Sequence, residues 1–256
     1  MVSLLDATKP YIDLFKGIRI STRPDYIDNE VLILLKNYNV TAIELGAQSM
    51  CDDVLDCNDR GHNAQSVFDA SRLIKENGFS LGLQMMTGLY KSTIEKDVNT
   101  ANLFVDIKPD TVRIYPTVIM KNTKLETLYN DGVYIPYSFD DTVNLCADLL
   151  NLFESNDISV IRLGLHHSDT LQKDMIAGVY HPAFRELCES KIILDKVLLC
   201  LKDKDKNEQY ELMVAPSCVS KLIGNNKSNI KRLNELGYKI KIIQDTSVGE
   251  MDVVLK

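Results

Sequence analysis

The sequence predicts an α/β fold built on a parallel sheet, and two observations carry that expectation. Short β-branched apolar runs alternate with longer amphipathic stretches. The unit of strand, loop, helix and loop also recurs at roughly the 30-residue spacing of a βαβ repeat. Parallel neighbours need a crossover of a dozen or more residues, and a helix supplies it. The sheet is either an open wound sheet or a partial βα-barrel.

Each element follows from its own residues. Gly17–Arg23 (GIRISTR) reads as the first strand. Asn29–Asn37 reads as a helix, with Val31, Leu32, Leu34 and Leu35 on one face. Thr41–Gly46 is the next strand, and Asn63–Asn77 a helix stopped by Gly78. Phe79–Met86 is a strand, Ser92–Ile107 a helix and Thr111–Pro116 a strand. A long loop is expected through Asn122, Asp131 and Gly132. Phe139–Glu154 is a helix, Ile158–Leu163 a strand and His181–Leu201 one more helix. The polar run Asp203–Gln209 has no periodicity and reads as a turn. A compact unit follows: strand Tyr210–Val214, helix Ser217–Ile223, a tight GNNK loop, helix Ser228–Leu236, and strands Tyr238–Ile243 and Met251–Leu255. The expected division is 1–202 and 203–256.

Bulk properties exclude several classes. The chain has 256 residues, a net charge of −7 and 45% hydrophobic residues, enough to bury a core and too apolar for disorder. No apolar run reaches the ~18 residues that span a bilayer. Met1–Pro10 lacks the basic-then-apolar order of a signal peptide. The six cysteines are scattered and none forms a C-x-x-C pair, which suits reduced thiols in the cytoplasm. The acidic balance argues against a protein that coats nucleic acid over its whole surface. A local basic cluster lies beyond residue 220: Lys221, Lys227, Lys231, Arg232, Lys239 and Lys241.

In βα-barrels function gathers at the C-terminal ends of strands. Those ends carry Ser21, Thr22, Arg23 and Asp25; then Gln48, with its loop running to Arg60, Gly61 and His62; then Gln84; then Tyr115 and Thr117. Arginine captures a carboxylate or phosphate bidentately, and glutamine offers donor and acceptor together. There is no nucleophile–histidine pair and no Walker loop. The set suits a polar, carboxylate-bearing small molecule and lacks the groups for hydrolysis. His166, His167 and His181 read as hydrogen-bonded loop residues, because adjacent histidines point in different directions.

The blocks IRISTRPDYID, IELGAQSM, NDRGHN, LGLQMMTGLY and VRIYPTVIMKNTKLETLY, in this order, resemble the radical-SAM domain of the Elongator catalytic subunit and its shorter bacterial relatives. A weaker similarity runs to the oxygen-independent coproporphyrinogen oxidases. The resemblance covers about residues 17–200. It implies a partial parallel (βα) barrel of the radical-SAM type, S-adenosylmethionine, and a 4Fe-4S cluster on a C-x-x-x-C-x-x-C motif that cleaves the cofactor's sulfonium. Carried over, Gln48 would sit near the cofactor's ribose and Arg60 would face its carboxylate. Ser21 and Gln84 would stand where relatives are acidic, and Tyr115 and Thr117 near the adenine. Arg23 would lie on the substrate or cofactor side. The cluster motif is absent from these residues. The expectation is therefore a barrel lacking its N-terminal strands, with the strand at 17–23 open to pairing with another chain.

Val219–Leu233 resembles a KH module, in which a G-x-x-G loop between two helices clamps single-stranded nucleic acid. Here the loop reads G-N-N-K, so Lys227 replaces the second glycine. The resemblance implies RNA contacts from Lys221, Gly224, Asn225, Asn226, Lys227, Lys231 and Arg232. The Elongator likeness implies tRNA as the partner and base modification as the activity. Two alternatives stand beside this reading: a radical-SAM enzyme on a small molecule such as a tetrapyrrole, and a non-catalytic binder of RNA or of a partner.

Overall fold

A computed structural model describes residues 2–206 and 208–256; Met1 and Asn207, the latter in the expected polar turn, lie outside them. The chain divides into two compact units, one of residues up to 138 together with 152–180, the other of 139–151 and 181–256.

The first unit opens with helix α1 (Val2–Asp6), followed by β1 (Ile18–Thr22), α2 (Asn29–Asn37), β2 (Val40–Gln48), α3 (Asp52–Cys57), α4 (Ala64–Glu76), β3 (Ser80–Thr87), α5 (Ile94–Ile107) and β4 (Thr111–Pro116). Then come β5 (Val118–Met120), α6 (Lys124–Asn130), the end of α7 (Phe139–Glu154, of which residues 152–154 belong to this unit), β6 (Ser159–Leu163), α8 (Asp169–Asp174) and β7 (Met175–Gly178). Side chains that stop the first free N–H groups fix the helix starts: Asp28, Asn63, Thr93 and Thr123 each accept from the backbone N–H three residues on.

Five strands form one sheet in the order β1-β2-β3-β4-β6, every pair parallel. The order follows the chain without reversal, as in the wall of a βα-barrel and unlike a doubly wound sheet. One face carries the apolar residues. Ile43, Leu45, Leu83, Met85, Val112 and Ile114 are buried, and Phe104 of α5 meets Phe153 of α7 with ring centroids 6.5 Å apart. Because strand side chains alternate, the other face receives Arg19, Ser21, Glu44, Gln84, Arg113 and Tyr115.

The stretch after β4 departs from the expected long loop. It contains β5 and α6, and β5 pairs antiparallel with β7. A three-residue strand and a seven-residue helix are too short to show a period, so the turn residues Asn122 and Gly132 dominated the sequence signal. Helix α3 escaped for the same reason.

The second unit is built from residues 139–151 of α7 together with α9 (Phe184–Leu201), β8 (Gln209–Val214), α10 (Val219–Ile223), α11 (Ser228–Glu235), β9 (Lys239–Gln244) and β10 (Val254–Leu255). Its sheet runs β10-β8-β9, with β8 and β9 parallel and β10 antiparallel. Ile193, Val197 and Leu201 of α9 share a core with Leu212, Val214, Leu222 and Leu233. That burial draws α9 into this unit, so the division falls ahead of the expected residue 202.

Candidate functional site

The inner face of the five-stranded sheet centres on Glu44, 2% exposed in the middle of β2. Arg113 Nε donates to its Oε1 at 2.9 Å and Arg19 Nη1 at 3.2 Å. Ser21 Oγ donates to Oε2 at 3.0 Å and Gln84 Nε2 at 3.2 Å. Arg113 Nη1 reaches the Tyr115 hydroxyl at 3.3 Å. Gly82 makes room for this carboxylate: a Cβ there would come within 2.6 Å of Glu44 Cγ. Four strands thus converge on one buried charge. Ser21, Gln84 and Tyr115, expected from the sequence to face a cofactor, are brought together here. Glu44, Arg19 and Arg113 were not foreseen, although a glutamate inside the apolar run TAIELG is itself a signal, since a buried charge needs partners.

The strand ends form a second cluster. Gln48, 8% exposed, closes β2 with a left-handed backbone, φ 65°. Arg23 is held by Asp25, with Nε–Oδ1 at 2.9 Å and Nη2–Oδ2 at 2.7 Å, and also donates to the Gly61 carbonyl at 3.2 Å. Its guanidinium lies over the Tyr26 ring. Arg60 differs. It is half-buried, and burial, with Arg23 nearby, lowers its pKa. Its Nε is buried without a hydrogen-bond partner. The same holds for Nδ1 of His62, whose Nε2 bonds the Ala47 carbonyl at 3.1 Å, and for Oγ1 of Thr117. A buried polar atom left unpaired costs about 1–3 kcal/mol. Arg60 and His62 follow α3 in the connection from β2 to α4, and Thr117 follows β4 directly; Ser71 Oγ on α4 is unpaired as well.

Beyond β3, Asp97 of α5 anchors the strand-end loop. Its carboxylate accepts from Gly88 N at 2.8 Å, Ser92 Oγ at 2.5 Å and Tyr137 Oη at 3.2 Å. Burial outweighs these bonds and raises its pKa to about 6. The folded state therefore holds a proton that the unfolded chain has released. Stability from this group is full below pH ~4 and declines as pH rises through ~6. At 1.36 kcal/mol per unit the loss is about 3 kcal/mol. Chemical denaturation of the protein and of Asp97→Asn across pH 4–7 should show the difference between them changing in that window and flat above it.

In the second unit the GNNK loop joins α10 to α11 with three of its four residues at positive φ, Gly224 (77°), Asn226 (51°) and Lys227 (61°). A Cβ at Gly224 would lie 2.5 Å from Ser228 Oγ and 2.9 Å from Asn229 N, so only glycine fits. Asn225, Asn226, Lys227, Lys231 and Arg232 are exposed. Lys221 does not join them: its Nζ pairs with Glu189 at 2.9 Å and is mostly buried. Among the histidines, His167 Nδ1 meets the Tyr180 hydroxyl at 2.9 Å and His181 Nδ1 accepts from Ala183 N at 3.1 Å.

Comparison with known proteins matches this architecture. The Radical SAM superfamily model matches residues 4–104, and the Radical_SAM C-terminal domain model residues 109–193. Elongator complex protein 3 of Dictyostelium discoideum is 31% identical over 179 residues, 69% of this chain and 31% of that protein. The human Elongator complex protein 3 is 35% identical over 139 residues, 53% of this chain and 25% of that protein. The tRNA uridine(34) acetyltransferase of Dehalococcoides mccartyi is 33% identical over 136 residues, 52% of this chain and 30% of that protein. Among solved structures, archaeal Methanocaldococcus infernus Elp3 with an N-terminal deletion superposes with a TM-score of 0.62 at 25% identity, over 69% of this chain and 41% of that one. The chain thus spans about a quarter to a third of the curated relatives it matches. With two family models across most of its length and these relatives, the chain belongs to the Elongator-like family of the radical SAM superfamily.

Proposed function

We propose that this chain carries part of the S-adenosylmethionine site of a radical-SAM enzyme that modifies a base in RNA, with tRNA as the substrate class, and that its C-terminal unit holds the RNA. The observation that carries the cofactor half is Arg60, a half-buried guanidinium whose Nε has no partner. Its burial has a cost that an anionic ligand would offset. S-adenosylmethionine brings a carboxylate for Arg60, ribose hydroxyls for Gln48, and an adenine that Thr117 could hydrogen-bond. Arg60, Gln48 and Thr117 would orient that cofactor; the radical chemistry belongs to the cofactor and not to these side chains.

The described residues do not fit the cluster itself. The six cysteines are free and dispersed, and no three metal-ligating side chains are grouped among the described residues. One second reading is a chain that binds RNA without chemistry of its own, for which the exposed loop cations would suffice.

The RNA half rests on the exposed loop cations and on relatives named for tRNA modification. Fluorescence anisotropy with labelled tRNA at several salt concentrations tests it. Lys227→Glu with Lys231→Glu should weaken binding across sequences. It should also lower the salt slope by about 0.7 for each lost phosphate contact. An unchanged affinity and slope would favour the small-molecule alternative.

A further inference from the structure

A cleft of about 640 Å³ in the second unit lies beside the GNNK loop, apart from the strand-end residues. Phe139, Asp140 and Asn144 on the first turns of α7, Lys191 on α9, Asn225 of the loop and Arg232 of α11 line it. We infer that this cleft takes one nucleotide of a single-stranded RNA, its base against Phe139 and its phosphate toward Arg232.

The size falls inside the ~300–1,000 Å³ range of small-ligand sites. Each wall supplies a different part of the recognition. Phe139 leaves 47% of its surface exposed, and an exposed aromatic face stacks any base. Asn144 and Asn225, both exposed, each offer an acceptor and two donors to a base edge, while Asp140 accepts only. Two cations line the walls. Lys191 is already committed to Asp195 through an i,i+4 pair. Arg232 is 57% exposed and meets Glu235 only at 3.5 Å, so its planar fork is available to a phosphate.

The position supports RNA over a free metabolite. Asn225 lines this cleft and also a second one of about 320 Å³, formed with His181, Glu186 and Ile223. The loop is therefore a ridge between two adjoining recesses, which suits consecutive residues of one strand. Asn229 stiffens the ridge: buried in α11, it donates to the carbonyls of Ser190 and Lys221 at 2.9 Å and 3.1 Å.

The inference rests on the RNA reading of the loop, and two measurements separate their fates. The first titrates AMP, CMP and inorganic phosphate into the whole chain and follows the side-chain amides of Asn144 and Asn225 by NMR. Both nucleotides should shift both amides saturably. Phe139→Ala should weaken that binding at least fivefold, and Asn144→Ala should weaken it with Phe139 intact. The second measures anisotropy of a labelled single-stranded RNA with the same variants and with the Lys227→Glu, Lys231→Glu pair. Loss in both sets supports the cleft and the loop together. RNA retained by the loop but unaffected by Phe139→Ala, with silent amides, overturns the cleft and leaves the loop reading standing. Nucleotide binding without RNA retention overturns the RNA reading and this assignment of the ligand. A response to phosphate equal to that of the nucleotides also overturns it, because no base would be involved.

Discussion

Replacing Glu44 by alanine should lower the stability of the first unit by about 3 kcal/mol, near the lower end of what removing one partner of a buried ion pair costs. The lower end applies because Arg19 and Arg113 keep 43% and 26% of their side-chain surface exposed and can recruit water. The loss has three parts. Two guanidiniums lose their shared carboxylate and face each other across the sheet. Ser21 and Gln84 lose an acceptor. A void opens where Gly82 had made space. Glu44→Gln keeps the shape and one acceptor, so it should cost less, about 1–2 kcal/mol. Urea unfolding with an unchanged slope would attribute the loss to the native state. A Glu44→Ala protein as stable as the parent would mean that the inner-face network contributes nothing net.

Arg60→Ala should have the second large effect, on ligand binding. A hydrogen bond to a charged group is worth about 1.5–3 kcal/mol, so the substitution should weaken capture of a carboxylate-bearing cofactor by about 10–150-fold. Stability should move in the other direction or stay level, because Arg60 is unpaired in the structure and its burial is a cost. Arg60→Lys should restore the charge but not the planar fork, and recover only part of the affinity. That split between stability and binding separates a ligand-receiving arginine from a structural one.

What was legible in the sequence follows from the range of the interactions. Helices α2 and α7 and strand β4 match their expected bounds, because a 3.6- or 2-residue period, a cap and a stop are all local. Helix α6, strands β5 and β7 and helix α3 were hidden because none is longer than two periods. The strand-end residues Gln48, Arg60 and Thr117 are named from type and place alone. What marks Arg60 and Thr117, an unpaired buried polar atom, exists only in three dimensions. Glu44 gathers partners from 23 to 69 positions away, and Asp97 is held by Tyr137, 40 positions on. Lys221 shows the converse: its sequence context groups it with the loop cations, yet Glu189, 32 positions earlier on α9, has claimed its charge.

The most direct test of the central claim compares two ligands that differ only in the group Arg60 is held to receive. S-adenosylmethionine and its decarboxylated analogue would each be titrated calorimetrically into the protein and into Arg60→Ala. The parent should bind S-adenosylmethionine at least tenfold more tightly than the analogue, and Arg60→Ala should erase the difference. Equal affinities for the two ligands in the parent, or a preference that survives in Arg60→Ala, would contradict that claim.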